Sequence, residues 1–129
     1  MSHFVRVRTQ LREKTHLVQA LKDLGYTVGE GDAIRLLSDN SQEESAEIVI
    51  DTDCAYQVGF RFLRGHYEMV ADWYNIERLT ELKRLSFLQT LTQRYSYAVI
   101  RDQAQQQHLI IEEERQENGE IILILSERG

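Results

Sequence analysis

Between Tyr56 and Trp73 apolar and polar positions alternate along two runs that mirror each other about Arg64-Gly65. Counting outward from that dipeptide, Leu63 meets His66, Phe62 meets Tyr67, Phe60 meets Met69, Val58 meets Ala71 and Tyr56 meets Trp73. The apolar pairs fall on one face, and Gln57, Arg61, Glu68 and Asp72 take the other. A slip of one residue would turn the apolar set toward water, so the pattern predicts an antiparallel hairpin of Tyr56–Leu63 and His66–Trp73 in this register. Arg64-Gly65 is an acceptable two-residue turn, weaker than Asn-Gly.

The rest of the chain divides by the same periodicities. Phe4-Val5-Arg6-Val7-Arg8 alternates as a strand over His3–Thr9 with one basic face. A helix follows: Thr15 is placed to cap it, Leu17, Val18, Leu21 and Leu24 form one stripe, and Gly25 suits a left-handed helix end. Tyr26–Val28 and Ala33–Leu37 read as two short strands around Gly29-Glu30-Gly31-Asp32, and Glu47–Asp51 as another, after the polar Ser38–Ser45 loop. Beyond Trp73, Asn75–Thr80 reads as a loop or short helical turn. A long helix then runs from about Glu81 to Gln106, although leucines every third residue drift around its surface.

A second hairpin joins Leu109–Arg115 to Ile121–Leu125 at Asn118-Gly119. Strict two-residue pairing there sets Glu117 against Glu120, a repulsion that argues for a longer loop. The apolar run Ile121–Leu125 implies burial on both faces, with the glutamate-rich partner strand as a protected sheet edge. The order β-α-β-β-β-β-α-β-β predicts a single α+β domain over residues 1–129, with an antiparallel or mixed sheet of five to seven strands covered by helices.

Fifteen basic and twenty-one acidic side chains leave a net charge of −6 over 129 residues, which argues against nucleic-acid binding. No apolar run approaches the roughly 20 residues of a membrane-spanning helix, and the first residues lack the apolar core of a secretory signal, so no membrane insertion is expected. One cysteine, Cys54, leaves no intramolecular disulfide and points to an intracellular compartment. Histidines 3, 16, 66 and 108 are scattered, and no metal spacing, nucleophile pattern or phosphate loop occurs. Asp51 and Asp53 lack the further ligands of a calcium loop and read as a solvated strand end. No catalytic residue, metal or cofactor is therefore assigned.

Met1-Ser2-His3-Phe4, Ala20-Leu21-Lys22-Asp23-Leu24-Gly25-Tyr26, Tyr67-x-x-Val70-x-Asp72-Trp73 and Gln93-Arg94-Tyr95-x-Tyr97 together resemble an uncharacterised family of small proteins from cyanobacteria and algal plastid genomes. The resemblance implies a photosynthetic host and a cytoplasmic or stromal setting, and it carries no activity to particular residues. One segment departs from it: Leu79, Leu82 and Leu85 stand where polar, glycine-containing sequence is expected.

The functional expectation is a non-catalytic protein-binding or regulatory module whose partner is another protein. Trp and Tyr concentrate at binding surfaces, and Asp72, Trp73, Arg94 and Tyr95 are the candidate binding residues, with an Asp72–Arg94 pair as a possible structural link. The alternative is a small-ligand protein or unfamiliar enzyme using a pocket between sheet and long helix, with His3, Asp72, Arg94 and Tyr95 as its polar groups. RNA binding by the Arg6/Arg8 strand is a third reading, opposed by the net charge.

Overall fold

The computed structural model describes residues 4–38, 42–118 and 120–127. Its elements are β1 (Val5–Arg8), α1 (Lys14–Asp23), β2 (Val28–Arg35), β3 (Ser45–Ile50), β4 (Val58–Leu63), β5 (His66–Ala71), α2 (Trp73–Leu79), α3 (Arg84–Gln106), β6 (Leu109–Glu117) and β7 (Glu120–Glu127). Strands β1 to β5 form one antiparallel sheet in the order β1-β5-β4-β3-β2, and β6 and β7 form a separate two-stranded sheet. The α+β class is as read from the sequence.

The β4–β5 hairpin keeps the expected register from Leu63↔His66 to Val58↔Ala71. Arg64 and Gly65 both take positive φ, 55° and 85°, which is the twist a two-residue hairpin turn requires. The ladder ends sooner than the alternation suggested. Trp73 is the first residue of α2 rather than the end of a strand, because the Asp72 carboxylate accepts the Asn75 backbone N–H at 3.2 Å and caps the helix. Asn75–Thr80 is thus mostly helix, and Thr80 closes it by donating its hydroxyl to the Ile76 carbonyl. The long helix begins at Arg84, three residues later than expected, where Glu77 of α2 accepts the Arg84 N–H at 2.8 Å.

Two further expectations change. Tyr26–Val28 and Ala33–Leu37 are not separate strands: β2 runs from Val28 to Arg35, with a bulge between Glu30 and Ile34 absorbing the glycines. Glu13, not Thr15, occupies the N-cap of α1, and its side chain makes no capping bond. The other end of α1 is as read. Gly25 takes φ 92°, with Tyr26 N–H bonded to Leu21 O and Gly25 N–H to Lys22 O, so the last carbonyls are satisfied.

One face of the large sheet carries the core. Ile48, Ile50, Val58, Phe60 and Met69 pack under Leu17 and Leu21 of α1, Ile76 of α2, and Phe87 and Leu91 of α3. On the opposite face Val49, Val70 and Ala46 lie beneath Leu36, where the β2–β3 connection folds back. Gly59 makes that close approach possible, since a Cβ there would stand 2.8 Å from the Ala46 Cβ. Charge fixes the same connection. Glu44 is buried, paired with Arg6 and held by Arg61 at 3.1 Å, and Arg61 also bonds Glu68 at 2.7 Å.

Candidate functional site: the α3 end and its hairpin

Besides recesses beside the β2–β3 connection, lined by Arg35, Glu43 and their neighbours, two regions bring polar and aromatic groups to recessed surface. The first is an open cleft of about 530 Å³ between the α1–β2, β3–β4 and α2–α3 connections, bordered by Tyr26, Thr27, Asp51, Asp53, Thr80 and Glu81. Burial, and secondarily the Asp53 carboxylate, raise the Tyr26 phenol above its ordinary pKa of 10.0. Asp51 already accepts Gln57 Nε2 at 2.7 Å, and the Thr52 hydroxyl donates to the Tyr56 carbonyl at 2.5 Å. Among the described residues no group of three or more His, Cys, Asp or Glu side chains is placed to hold a metal ion.

The second region is built by the last turns of α3 and the hairpin that follows. His108 takes φ 58° just after the Gln107 cap of α3, donating its N–H to Gln105 O, and this left-handed residue reverses the chain into β6. β6 and β7 pair along their length to Glu117↔Glu120, so the turn is a two-residue one and the glutamates do stand opposite each other. The turn's Asn118 supplies the required positive φ of 52°, and Gly119 lies outside the described residues. The expectation that Ile121–Leu125 is buried on both faces fails. Ile124 and Leu125 are 36% and 37% exposed and Ile110 is 41% exposed, because this pair of strands stands apart from the large sheet and leans chiefly on α3.

Two shallow hollows flank the end of α3 and share Arg101 and Gln105. One, of about 390 Å³, is lined by Ala104 and Leu109–Ile111. The other, of about 160 Å³, opens toward Thr15, His16 and Gln19 of α1. The His16 ring spans two carboxylates, with Nδ1 at 2.9 Å from Glu13 and Nε2 at 3.1 Å from Asp102, and so ties α1 to α3. Arg94 and Arg101 lie 5.5 and 5.9 Å from the Tyr97 ring centroid, from either side in sequence along the helix.

The four residues singled out from the sequence separate. Asp72 and Trp73 are buried at the start of α2. Asp72 is engaged by Asn75, through both its N–H and its side-chain amide, and no ion pair joins it to Arg94 among the described residues. Trp73 packs on Phe87, and its buried indole N–H meets no acceptor among the described residues. Tyr95 is half-buried seven residues beyond Leu88, and its hydroxyl accepts the backbone N–H of Arg12 and Glu13 at 3.1 and 3.0 Å. Arg94, in the middle of α3, lies over the Tyr97 ring. His3 lies outside the described residues. Sequence reasoning missed Tyr97 and Arg101, although Arg94, Tyr97 and Arg101 stand at i, i+3 and i+7, the spacing that aligns side chains on one helix face.

The chain belongs to the family described as "Protein of unknown function (DUF1257)", which matches residues 20–124. It is 29% identical over 126 residues to "Uncharacterized protein ycf35" of Pyropia yezoensis, covering 97% of this chain and 96% of the relative. The protein of the same name in Guillardia theta is 34% identical over 97 residues, 75% of this chain and 73% of the relative. That of Cyanophora paradoxa is 28% identical over 126 residues, 97% and 96% respectively. No solved structure matches. Among the described residues no helix is long and apolar enough to cross a membrane.

Proposed function

We propose that this chain is a non-catalytic protein-binding module whose docking surface is the β6–β7 hairpin together with the end of α3. The observation that carries the reading is the apolar run Ile121–Leu125, half-buried at Ile121–Leu123 and exposed at Ile124 and Leu125, on a strand whose partner is rich in glutamate. Apolar side chains grouped on a projecting element are the usual mark of a protein contact. Arg101 borders that surface and lies 5.9 Å from the Tyr97 ring centroid, a guanidinium beside an aromatic, the side chains that dominate interface energetics. Tyr95 positions α3 against the start of α1, whereas Asp72 and Trp73 lie in the core at the other end of α3 and take no part in this surface. The ycf35 relatives support a setting in the cytoplasm of a photosynthetic cell or the plastid stroma.

Affinity capture from such a host tests the reading. Ile124→Glu and Arg101→Ala variants that keep the wild-type circular dichroism spectrum should lose the partners that the wild-type chain retains. Full retention by both places the docking surface elsewhere.

The acidic cleft at Tyr26, Asp53 and Glu81 favours a second reading, a protein that holds a small cationic ligand. The space between the sheet and α3 is filled by Phe60, Phe87 and Leu91, so a ligand would enter at this end of the core. A rise in melting temperature with a polyamine, abolished by Asp53→Asn, would favour it over protein docking.

A further inference from the structure

The outer edge of β7 is uncharged across five consecutive apolar residues, and we propose that it pairs with β7 of a second copy of the chain. The result is a four-stranded antiparallel sheet across a twofold axis at Leu123. This inference rests on the docking reading above and names the occupant of that surface.

The register follows from the turn. Glu117 and Glu120 close a two-residue loop, so they are a hydrogen-bonded pair, and alternation along the strand then aims the N–H and C=O groups of Ile121, Leu123 and Leu125 away from β6. The irregularity between Ile111 and Glu113 adds its extra residue to β6, which leaves the alternation of β7 unbroken. An antiparallel partner must set outward-facing residues against outward-facing residues. With the axis at Leu123, Ile121 faces Leu125 of the other copy, Ile122 faces Ile124, Leu123 faces itself and Glu120 faces Ser126. Moving the axis by one residue in either direction puts a glutamate, Glu120 or Glu127, opposite an isoleucine.

Charge selects the strand as well as the register. A pairing through β6 would bring Glu112, Glu114 and Glu117 of two copies together, and like charges across a ladder are destabilising. Glutamates of this kind are how natural edges are blocked, and β7 has none between its two ends. A two-stranded sheet is marginal on its own in water, whereas four strands with an apolar face are not. Pairing also covers Ile124 and Leu125, which stand exposed in the single chain.

Sedimentation equilibrium of the purified full chain should give twice the 15.1 kDa of one copy. Leu123→Lys, which opposes two ammonium groups on the axis, should return the mass to a single chain. Because Leu123 also packs within its own hairpin, a second measurement reads the register directly. In a Cys54→Ser background, Leu123→Cys should form a disulfide-linked dimer, since hydrogen-bonded antiparallel pairs hold Cα atoms about 5.5 Å apart, within disulfide reach. Glu114→Cys, on β6, should stay uncross-linked. A wild-type mass of one chain overturns the pairing, as does a dimer that cross-links through position 114 instead of 123. A single-chain mass combined with loss of a captured partner on Ile124→Glu would overturn self-pairing and leave the docking surface standing.

Discussion

Replacing Phe60 by alanine tests how the sheet holds its helices. Phe60 is fully buried, opposite Ile48 and Met69 on its neighbouring strands, with its ring centroid 6.5 Å from that of Phe87 on α3. Truncation removes packing shared by β3, β4, β5 and α3, and a Phe→Ala change of this kind costs about 3–5 kcal/mol. An unfolding entropy of about 2.1 cal/mol/K per residue converts that cost into a fall in melting temperature of roughly 11–18 °C for this chain. Phe62→Ala supplies the contrast on the same strand. Phe62 is 47% exposed and keeps mainly an edge contact with Tyr67 at 5.1 Å, so its loss should be about 1 kcal/mol, or roughly 4 °C. Calorimetry or circular dichroism melting of both variants decides the matter. Equal shifts, or a Phe60→Ala shift below that of Phe62→Ala, would show that this face of β4 is not where α3 is held.

Glu44→Gln should destabilise by about 1–3 kcal/mol in urea titrations, less than a fully buried pair would cost, because Arg6 and Arg61 can regain water. Asp72→Ala should cost about 1–2 kcal/mol by uncapping α2, with Asp72→Asn recovering most of it; equal losses in both variants would deny the capping role. Burial raises the phenols of Tyr26 and Tyr67 above 10.0, with Asp53 adding at Tyr26 and, at Tyr67, Lys14 opposing and Glu47 adding. The unfolded chain therefore releases these protons first. Their neutral native state is undisturbed below pH 10, and stability falls as pH rises beyond it toward the higher folded values. Alkaline unfolding followed at fixed pH steps should flatten in Tyr26→Phe, and an unchanged profile would remove Tyr26 from the account.

What was legible in the sequence is what repeats over short distances. The β4–β5 register could be read because two-residue alternation on both sides of Arg64-Gly65 leaves one solution that buries Phe60 and Met69. The end of that ladder could not, because the Asp72 capping bond outcompetes the continuing alternation through Trp73. The signal was present in Asp72 standing three residues before Asn75, a spacing that suits a helix start as well as a strand end. Glu44 with Arg6 and Arg61, and the Tyr95 hydroxyl on Arg12 and Glu13, join residues far apart in the chain and leave no local period. The run Ile121–Leu125 was legible as a strand and misread in its surroundings. An apolar strand is the same sequence whether its own fold or another chain covers it. For the same reason the sequence carried no sign that Asp72 and Trp73 go to the core.

Amide hydrogen exchange tests the docking surface most directly, comparing the chain dilute and alone with the chain in association, whether with a second copy at high concentration or with a captured partner. Slowed exchange should be confined to Ile121–Leu125 and the end of α3, with the amides of β1 to β5 unchanged. Unchanged exchange along β7, with slowing instead at Tyr26–Thr27 and Asp51–Asp53, would place binding in the acidic cleft and contradict the account.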